Sequence, residues 1–353
     1  MTAGPAAFMA PLAATAVGSY PHTDARAACD LVLECFPEVP AWPQLPQLGL
    51  NEQMEIQFSE GLPCVVVDRE KGRLYFDTSG DTSAALEKFY ERILTDDVDA
   101  FAVSPDYSLG LHEIGQRLAG ADRSRIRYMK MQVTGPVSFG LTIVDEKKRA
   151  IYYNEMFRDV VVKAIAMKAR WQLRRFAAVC ARRICFIDEP ILSAFGSSTY
   201  VSVHRADVVA LLREVADAIH AEGGLAGIHC CGNTEWTIPI DAGVDIVNFD
   251  AYGYGDSILL YADRVREFLR KGGVLAWGIV PTSEQIGGET AGSLADRIED
   301  LARRLAGDQD SGLFFRNALV TASCGTGSIP LERAEKVTRL TKAVSDLLKE
   351  MHG

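Results

Sequence analysis

A histidine and a cysteine separated by one residue are the sharpest chemical feature of this sequence. His229 and Cys231 end an apolar, β-branched run, and side chains alternate along a strand, so both are predicted to face the same way. An imidazole beside a thiolate is half of a zinc site. Cys324, which ends a later apolar run, could supply a third ligand, and Asp250 a weak, displaceable fourth. Three protein ligands with one exchangeable position are typical of catalytic zinc.

A purely structural interpretation of the same residues stays open. An isolated His-x-Cys is more often a core histidine beside buried thiols, and Cys230 and Cys231 would then be packing residues. The Cys and Asp residues at the ends of other runs weaken that alternative, so the two interpretations stand about level on the residues alone.

Two further polar groups follow apolar runs. Asp188 and Glu189 precede Pro190, and such paired carboxylates could bind an ammonium group, act as acid and base, or bind metal. The alternative is a solvated turn with a helix-capping acid. Gly18 and Ser19 offer backbone N–H groups and a hydroxyl, which suit a carboxylate, although a simple tight turn is the commoner explanation of such a pair.

Eight short apolar runs, with helical patterns between most of them, would position these groups. The runs are Ala13–Val17, Val98–Val103, Arg127–Val133, Ile184–Ile187, Leu225–Cys231, Val244–Phe249, Val274–Val280 and Ala318–Ser323. Eight strands alternating with helices predict an α/β protein with a (β/α)₈ TIM barrel, in which the strand ends meet at one rim. A doubly wound sheet competes with this prediction, but no Gly-rich dinucleotide turn follows the first run.

The segment Ala25–Asp96 is too long for one helical crossover, so we expect an insertion after the first strand. It contains a Pro-rich stretch, Pro37–Pro46, and a predicted hairpin formed by Cys64–Asp68 and Arg73–Phe76. The expected organisation is one catalytic barrel domain over residues 1–353.

Composition narrows the class of protein. The 353 residues include 37 Lys and Arg against 47 Asp and Glu, a net charge of −10, which argues against nucleic acid and anionic membranes as partners. No apolar run approaches the ~20 residues of a membrane helix. The uncharged start, Met1–Thr23, lacks the basic region of a signal peptide, so we expect a cytoplasmic protein. Its eight cysteines would then be core thiols, ligands or nucleophiles.

Five motifs occur in the order found in the cobalamin-independent methionine synthase family. They are V-G-S-Y-P at 17–21, V-T-G-P-V at 133–137, I-D-E-P-I-L at 187–192, H-C-C at 229–231 and S-C-G at 323–325. From Val17 to Cys324 the chain resembles the C-terminal catalytic barrel of that family. Its length is similar to that of the short, single-barrel relatives, because the full-length enzymes have a second, N-terminal barrel. The related uroporphyrinogen decarboxylase family shares the barrel but would not need the histidine and cysteine set.

The resemblance implies a zinc site. His229, Cys231 and Cys324 match the zinc ligands of the family. Asp250 stands where the family has a glutamate, and its shorter side chain makes it the least secure ligand.

The resemblance also implies a homocysteine site. Gly18 and Ser19 match the turn that holds the homocysteine carboxylate, and Asp188 matches the acid that holds its ammonium group. Glu189 receives no firm role. The implied activity is zinc-dependent transfer of a methyl group to the thiol of homocysteine, which forms methionine.

The methyl donor is the point at which the sequence departs from the family. The family has a histidine after strand seven that is thought to protonate the folate leaving group, and the loop Trp277–Ser283 has none. We therefore predict a methyl-corrinoid donor, either methylcobalamin or a corrinoid carrier protein, with the Pro-rich stretch around Trp42 as a possible docking element. Four alternatives remain: methyltetrahydrofolate as donor, another acceptor thiol, a uroporphyrinogen-decarboxylase-like enzyme, and a non-catalytic zinc- or corrinoid-binding module.

Overall fold

The computed structural model of the chain describes residues 8–352; the first seven residues and Gly353 of the predicted domain lie outside this range. The strands are β1 (Ala13–Ala14), β2 (Val65–Asp68), β3 (Arg73–Phe76), β4 (Met129–Thr134), β5 (Val144–Asp145), β6 (Arg183–Asp188), β7 (Leu225–Cys230), β8 (Ile246–Phe249), β9 (Val274–Val280) and β10 (Ala318–Ala322). The α-helices are α1 (Ala25–Cys35), α2 (Met54–Ser59), α3 (Ser83–Leu94), α4 (Leu109–Ala119), α5 (Pro136–Thr142), α6 (Glu155–Arg175), α7 (Arg205–Ala221), α8 (Thr237–Ala242), α9 (Ala251–Ile258), α10 (Ala262–Arg270), α11 (Ala291–Ala306), α12 (Leu313–Arg316) and α13 (Leu331–His352).

Seven parallel strands form a curled sheet in the order β1-β10-β9-β8-β7-β6-β4. Helices pack outside the sheet, so both of its faces are buried, as the nearly continuous apolar runs require. The fold is a TIM-barrel-like α/β fold with an insertion after the first strand, which confirms the predicted fold class. No helix within residues 8–352 is long and apolar enough to span a membrane.

The Pro-rich stretch lies in the wall of the barrel, between β1 and β4. The Lys130 N–H donates to the Pro40 carbonyl oxygen at 2.9 Å, and the Gln44 N–H donates to the Gly18 carbonyl oxygen at 3.0 Å. Prolines in the stretch lack the N–H groups that a continuous ladder needs, which explains why only isolated bridges form. The prediction of a strand at Val98–Val103 is wrong, because Val98–Phe101 is a 3₁₀ helix.

Trp42, at the centre of this wall segment, is fully buried and donates its indole N–H to Gln172 Oε1 at 2.8 Å. It therefore belongs to the packing of the barrel and is not exposed to a docking partner. The rest of the insertion carries the expected hairpin, in which β2 pairs with β3 in antiparallel fashion and Gly72 adopts a left-handed φ of 59° at the turn. The short strand β5 extends this small sheet.

The interior of the barrel changes from apolar at the amino ends of the strands to polar at their carboxyl ends. Alternate residues of the wall strands face inward, and the lowest inward positions are apolar: Tyr128, Ile184, Ile246, Val274 and Leu319. The next positions up include Lys130 on β4 and Asn248 on β8, both fully buried. Further towards the carboxyl ends of the strands stand Gln132 on β4, Asp188 on β6 and His229 on β7, so polar side chains are concentrated there.

Candidate metal centre

Three of the residues singled out in the sequence converge at the carboxyl rim of the barrel. His229 is the second-to-last residue of β7, Cys231 directly follows that strand, and Cys324 follows β10. One ligand atom from each residue lies within 4.8 Å of the other two. His229 is buried and the two cysteines are half-buried, so the group sits at the boundary between the barrel interior and the opening above it.

The donor set fits a zinc ion. Zinc takes imidazole nitrogen at about 2.0–2.1 Å and thiolate sulfur at about 2.3 Å in tetrahedral sites, so neighbouring ligands stand on the order of 3.5 Å apart. Donor atoms grouped within 4.8 Å are compatible with that geometry after small side-chain adjustments. One imidazole with two soft thiolates favours zinc over hard cations such as magnesium or calcium.

Asn248, which the sequence analysis missed, orients the imidazole of His229. Its amide nitrogen donates to the Ala276 carbonyl oxygen at 2.9 Å and to Thr321 Oγ1 at 2.8 Å, so its oxygen faces the histidine. His229 Nδ1 lies 2.6 Å from that oxygen and must carry the proton of this hydrogen bond. The tautomer that results leaves Nε2 free as a metal ligand, the arrangement that outer-shell acceptors impose on ligating histidines.

The two cysteines and the histidine shift one another's pKa values. The proximity of Cys324 and His229 lowers the pKa of the Cys231 thiol and outweighs the burial that opposes this shift. The hydrogen bond to Cys231, together with burial, raises the pKa of Cys324. Cys231 is thus the thiol that ionises first, and a thiolate is the form that binds metal.

The structure does not bring Asp250 into this group. Its carboxylate caps helix α9, where Oδ1 accepts a hydrogen bond from the Gly253 N–H at 2.7 Å. Burial raises the pKa of Asp250, and the neighbouring Cys231 raises it further. Ligation of a metal by Asp250 would require its side chain to leave this cap, and its role as a fourth ligand stays a prediction.

A cavity of about 330 Å³ is lined by His229, Cys231 and Cys324, and also by Gly18, Ser19, Gln132 and Asp188. Asp188 is half-buried, but its Oδ1 is shielded from solvent and has no hydrogen-bond partner among the described residues. Burial raises the pKa of Asp188 to about 6, against the opposing charges of His229 and Lys130. A buried carboxylate oxygen without a donor suits a cationic or N–H-bearing ligand group.

Ser19 and Gly18 form the opposite wall of the cavity. The Ser19 hydroxyl oxygen accepts a hydrogen bond from the Gly327 N–H at 3.2 Å, which leaves its own proton free to donate to a carboxylate. A side chain at Gly325 would strike this hydroxyl, since an added Cβ would stand 2.2 Å from Ser19 Oγ. Likewise, a Cβ at Gly18 would stand 2.8 Å from Gln132 Nε2. The glycines in both motifs allow this close approach.

Glu189 acts outside the cavity. Its carboxylate accepts from the Val137 N–H at 2.8 Å and from the Ser138 N–H and hydroxyl at 2.7 Å each. It therefore caps the amino end of α5, and a side chain at Gly135 would overlap it. Adjacent carboxylates in one motif thus have separate tasks.

No protein-family model matches the sequence, and no curated protein matches it either. Among solved structures, the chain is similar to one described as a B12-independent methionine synthase from a Shewanella species in complex with selenomethionine. The TM-score is 0.56 at 13% sequence identity, over 97% of this chain and 99% of that one. The likeness is one of fold. It extends over essentially the whole of both chains, so the barrel and its insertion are both included.

Proposed function

We propose that the protein is a zinc-dependent methyltransferase that transfers a methyl group to the thiol of homocysteine, forming methionine. The observation that carries this proposal is that the His229, Cys231 and Cys324 group lines the same cavity as Asp188, whose Oδ1 has no partner within residues 8–352. A small thiol with an ammonium group is complementary to both. The similar solved structure, whose description names a methionine synthase and a methionine analogue, supports the same reaction.

The residues of the chain divide the work. His229, Cys231 and Cys324 would hold the metal, with Asn248 fixing the imidazole, and a bound zinc ion supplies the means of keeping a thiol as its more nucleophilic thiolate at neutral pH. Asp188 binds the substrate ammonium group and Ser19 donates to its carboxylate. Holding the ammonium and carboxylate groups restricts the positions that the sulfur can take, which favours in-line attack on a methyl carbon.

For the donor we propose a methyl-corrinoid, either free or on a carrier protein. A folate amine leaves readily only when it is protonated, whereas cobalt leaves as a stable anion that needs no proton. The one histidine among the residues that line the cavity is His229, which we assign to the metal. Methyltetrahydrofolate is the second candidate, and the description of the similar structure as B12-independent favours it.

The metal-dependent reaction is tested by the adjacent pair Cys230 and Cys231. Cys231→Ser removes a proposed ligand and should lower zinc content from about one per chain and abolish methyl transfer. Cys230→Ser is the matched control, because Cys230 is buried behind the strand and contacts the Gly232 carbonyl oxygen instead. It should retain zinc and activity.

Metal analysis of purified protein and methionine formation with each donor measure both effects. Full zinc occupancy in Cys231→Ser would refute the site. A zinc-loaded wild type that methylates no thiol would point to a non-catalytic binding module.

A further inference from the structure

Gln132 carries a buried oxygen without a partner. It lies at an inward position of β4 with 3% of its surface exposed, and it lines the cavity above the metal-binding residues. Its Nε2 donates to the Trp42 carbonyl oxygen at 3.0 Å, but its Oε1 receives no hydrogen bond among the described residues. Leaving a buried acceptor unsatisfied costs on the order of 1–3 kcal/mol, so such a group calls for a ligand.

A hydrogen-bond network fixes which end of the amide faces the cavity. The Trp42 carbonyl oxygen can only accept, so the amide nitrogen of Gln132 must be the atom beside it. Behind the strand, Gln172 accepts from the Trp42 indole N–H at 2.8 Å and donates to the Gln132 main-chain oxygen at 2.9 Å. None of these hydrogen bonds involves Oε1 of Gln132, which has no partner among the described residues and belongs to a side chain that lines the cavity.

Asp188 presents a second unpaired oxygen on the neighbouring strand. Parallel pairing aligns Thr134 of β4 with Asp188 of β6, which places Gln132 one inward position below the carboxylate. Lys130, one inward position lower still, donates to the Val17 carbonyl oxygen at 2.8 Å rather than to either unpaired oxygen. A hydroxyl or thiol offers one hydrogen, whereas a primary ammonium group offers three.

We propose that Gln132 Oε1 and Asp188 Oδ1 jointly bind the ammonium group of the substrate, and that Gln132 thereby selects α-amino thiols over thiols of equal length without the amine. The inference rests on the proposed function, since it names the acceptors for the same substrate. Asp188 supplies the negative charge. Gln132 supplies an acceptor of fixed orientation, because the Trp42 carbonyl oxygen holds the Gln132 amide in place.

Three variants isolate the oxygen of Gln132. Gln132→Met removes the acceptor at similar size, and Gln132→Glu retains an acceptor; both lose the donor to Trp42. Gln172→Met disturbs the same network but does not line the cavity. The measured quantity is the preference for homocysteine over 4-mercaptobutanoate, as a ratio of kcat/KM. We expect it to fall about tenfold in Gln132→Met, the loss of one hydrogen bond of ordinary net strength to a charged group, and to persist in Gln132→Glu and Gln172→Met.

Binding measurements separate failure of this inference from failure of the proposed reaction. Calorimetry with methionine and with 4-(methylsulfanyl)butanoate needs no turnover and should show the same pattern of preference, with zinc content unchanged. If no thiol is methylated, the proposed function falls, and loss of the methionine preference in Gln132→Met still supports the ammonium site. A wild type without preference for the amine, an unchanged preference in Gln132→Met, or an equal loss for both ligands overturns it.

Discussion

The imidazole of His229 illustrates how much of a metal site lies outside its ligands. Its free nitrogen depends on Asn248, whose amide is in turn held by Ala276 and Thr321 on two further strands. Every hydrogen-bonding atom of the Asn248 amide is thereby used, and the histidine ring has one orientation and one tautomer. The position therefore tolerates little change even though Asn248 would not touch a metal.

Replacing Asn248 by leucine should weaken zinc binding by about 10–100-fold, because the imidazole loses the acceptor that fixes its tautomer. Thr321→Val is the control: it removes one anchor of the asparagine but keeps the contact with His229, and we expect a smaller effect. Competition with a chromophoric chelator measures both affinities. Equal zinc affinity in wild type and Asn248→Leu would contradict the role assigned to this residue.

At the scale of elements, the amino end of α5 depends on a single buried carboxylate. Glu189→Ala should destabilise the protein by on the order of 2–4 kcal/mol, because three donors of Val137 and Ser138 lose their acceptor. Asp24→Ala, which removes the exposed cap of α1, should cost about 1 kcal/mol. Denaturant unfolding of both variants tests the difference, and similar costs would show that burial adds nothing to the cap.

Glu52 ties the insertion to the start of α4. Its carboxylate accepts from the Leu109 N–H at 2.7 Å and from Gln57 Nε2 at 3.1 Å, and burial raises its pKa to about 7. A pKa raised on folding gives stability that is complete below pH 4.5, the ordinary value, and is lost as the pH rises through about 7. The stability of wild type relative to Glu52→Gln should therefore fall between these pH values.

Unfolding in denaturant, with chelator present throughout, measures this relative stability. The exposed Glu350→Gln variant is the control and should show a constant difference from wild type across the same range. A constant difference for Glu52→Gln would mean that the carboxylate does not change its protonation on folding.

The sequence predicted elements well where one physical requirement dominated. Val274–Val280 was predicted with its observed bounds because a strand buried on both faces needs an unbroken apolar run. Val98–Val103 is also rich in apolar residues and is predicted as a strand. A short buried 3₁₀ helix, which forms here, needs the same residues, so composition does not distinguish the two. The segment around Trp42 falls in the predicted insertion because Ala25–Asp96 is too long for one helical crossover. Its prolines give no strand pattern, and tertiary contacts alone place it beside β4.

The sequence does not predict site residues whose roles depend on hydrogen bonds to residues far away along the chain. His229, Cys231 and Cys324 could be grouped because strand ends of a barrel share one rim, and the structure brings them together. The roles of Asn248 and Gln132 depend on hydrogen-bond partners from strands far away in sequence, and a lone amide in an apolar run gives no signal of them. The sequence assigns Glu189 no firm role, because its partners, the donors at the start of α5, lie 51 and 52 residues away along the chain.

At the scale of the whole molecule, the fold is similar to that of the solved structure described as a methionine synthase. The similarity covers nearly the full length of both chains at 13% identity. A shared fold does not determine which methyl donor the protein uses. Methionine formation should proceed with methylcobalamin or a methylated corrinoid protein and be negligible with methyltetrahydrofolate, because the cavity lacks a free histidine to protonate a leaving amine.

Equal concentrations of each donor, with homocysteine and zinc-loaded protein, make that comparison. Chelator-treated protein is the control and should be inactive with every donor. Turnover with methyltetrahydrofolate alone would reverse the choice of donor and leave the metal centre unaffected.

The pairing of β1 with β10 has a consequence for the order of events during synthesis. β1 is translated long before its partner β10 and before Thr326, whose N–H and hydroxyl both donate to the Ser19 carbonyl oxygen. The nascent chain can build the wall from β4 to β9 while that seam is still open. Cys324 follows the closing strand, so the third proposed metal ligand and the cavity are completed in the same late step, and a chain that stops before β10 would hold only part of the proposed site.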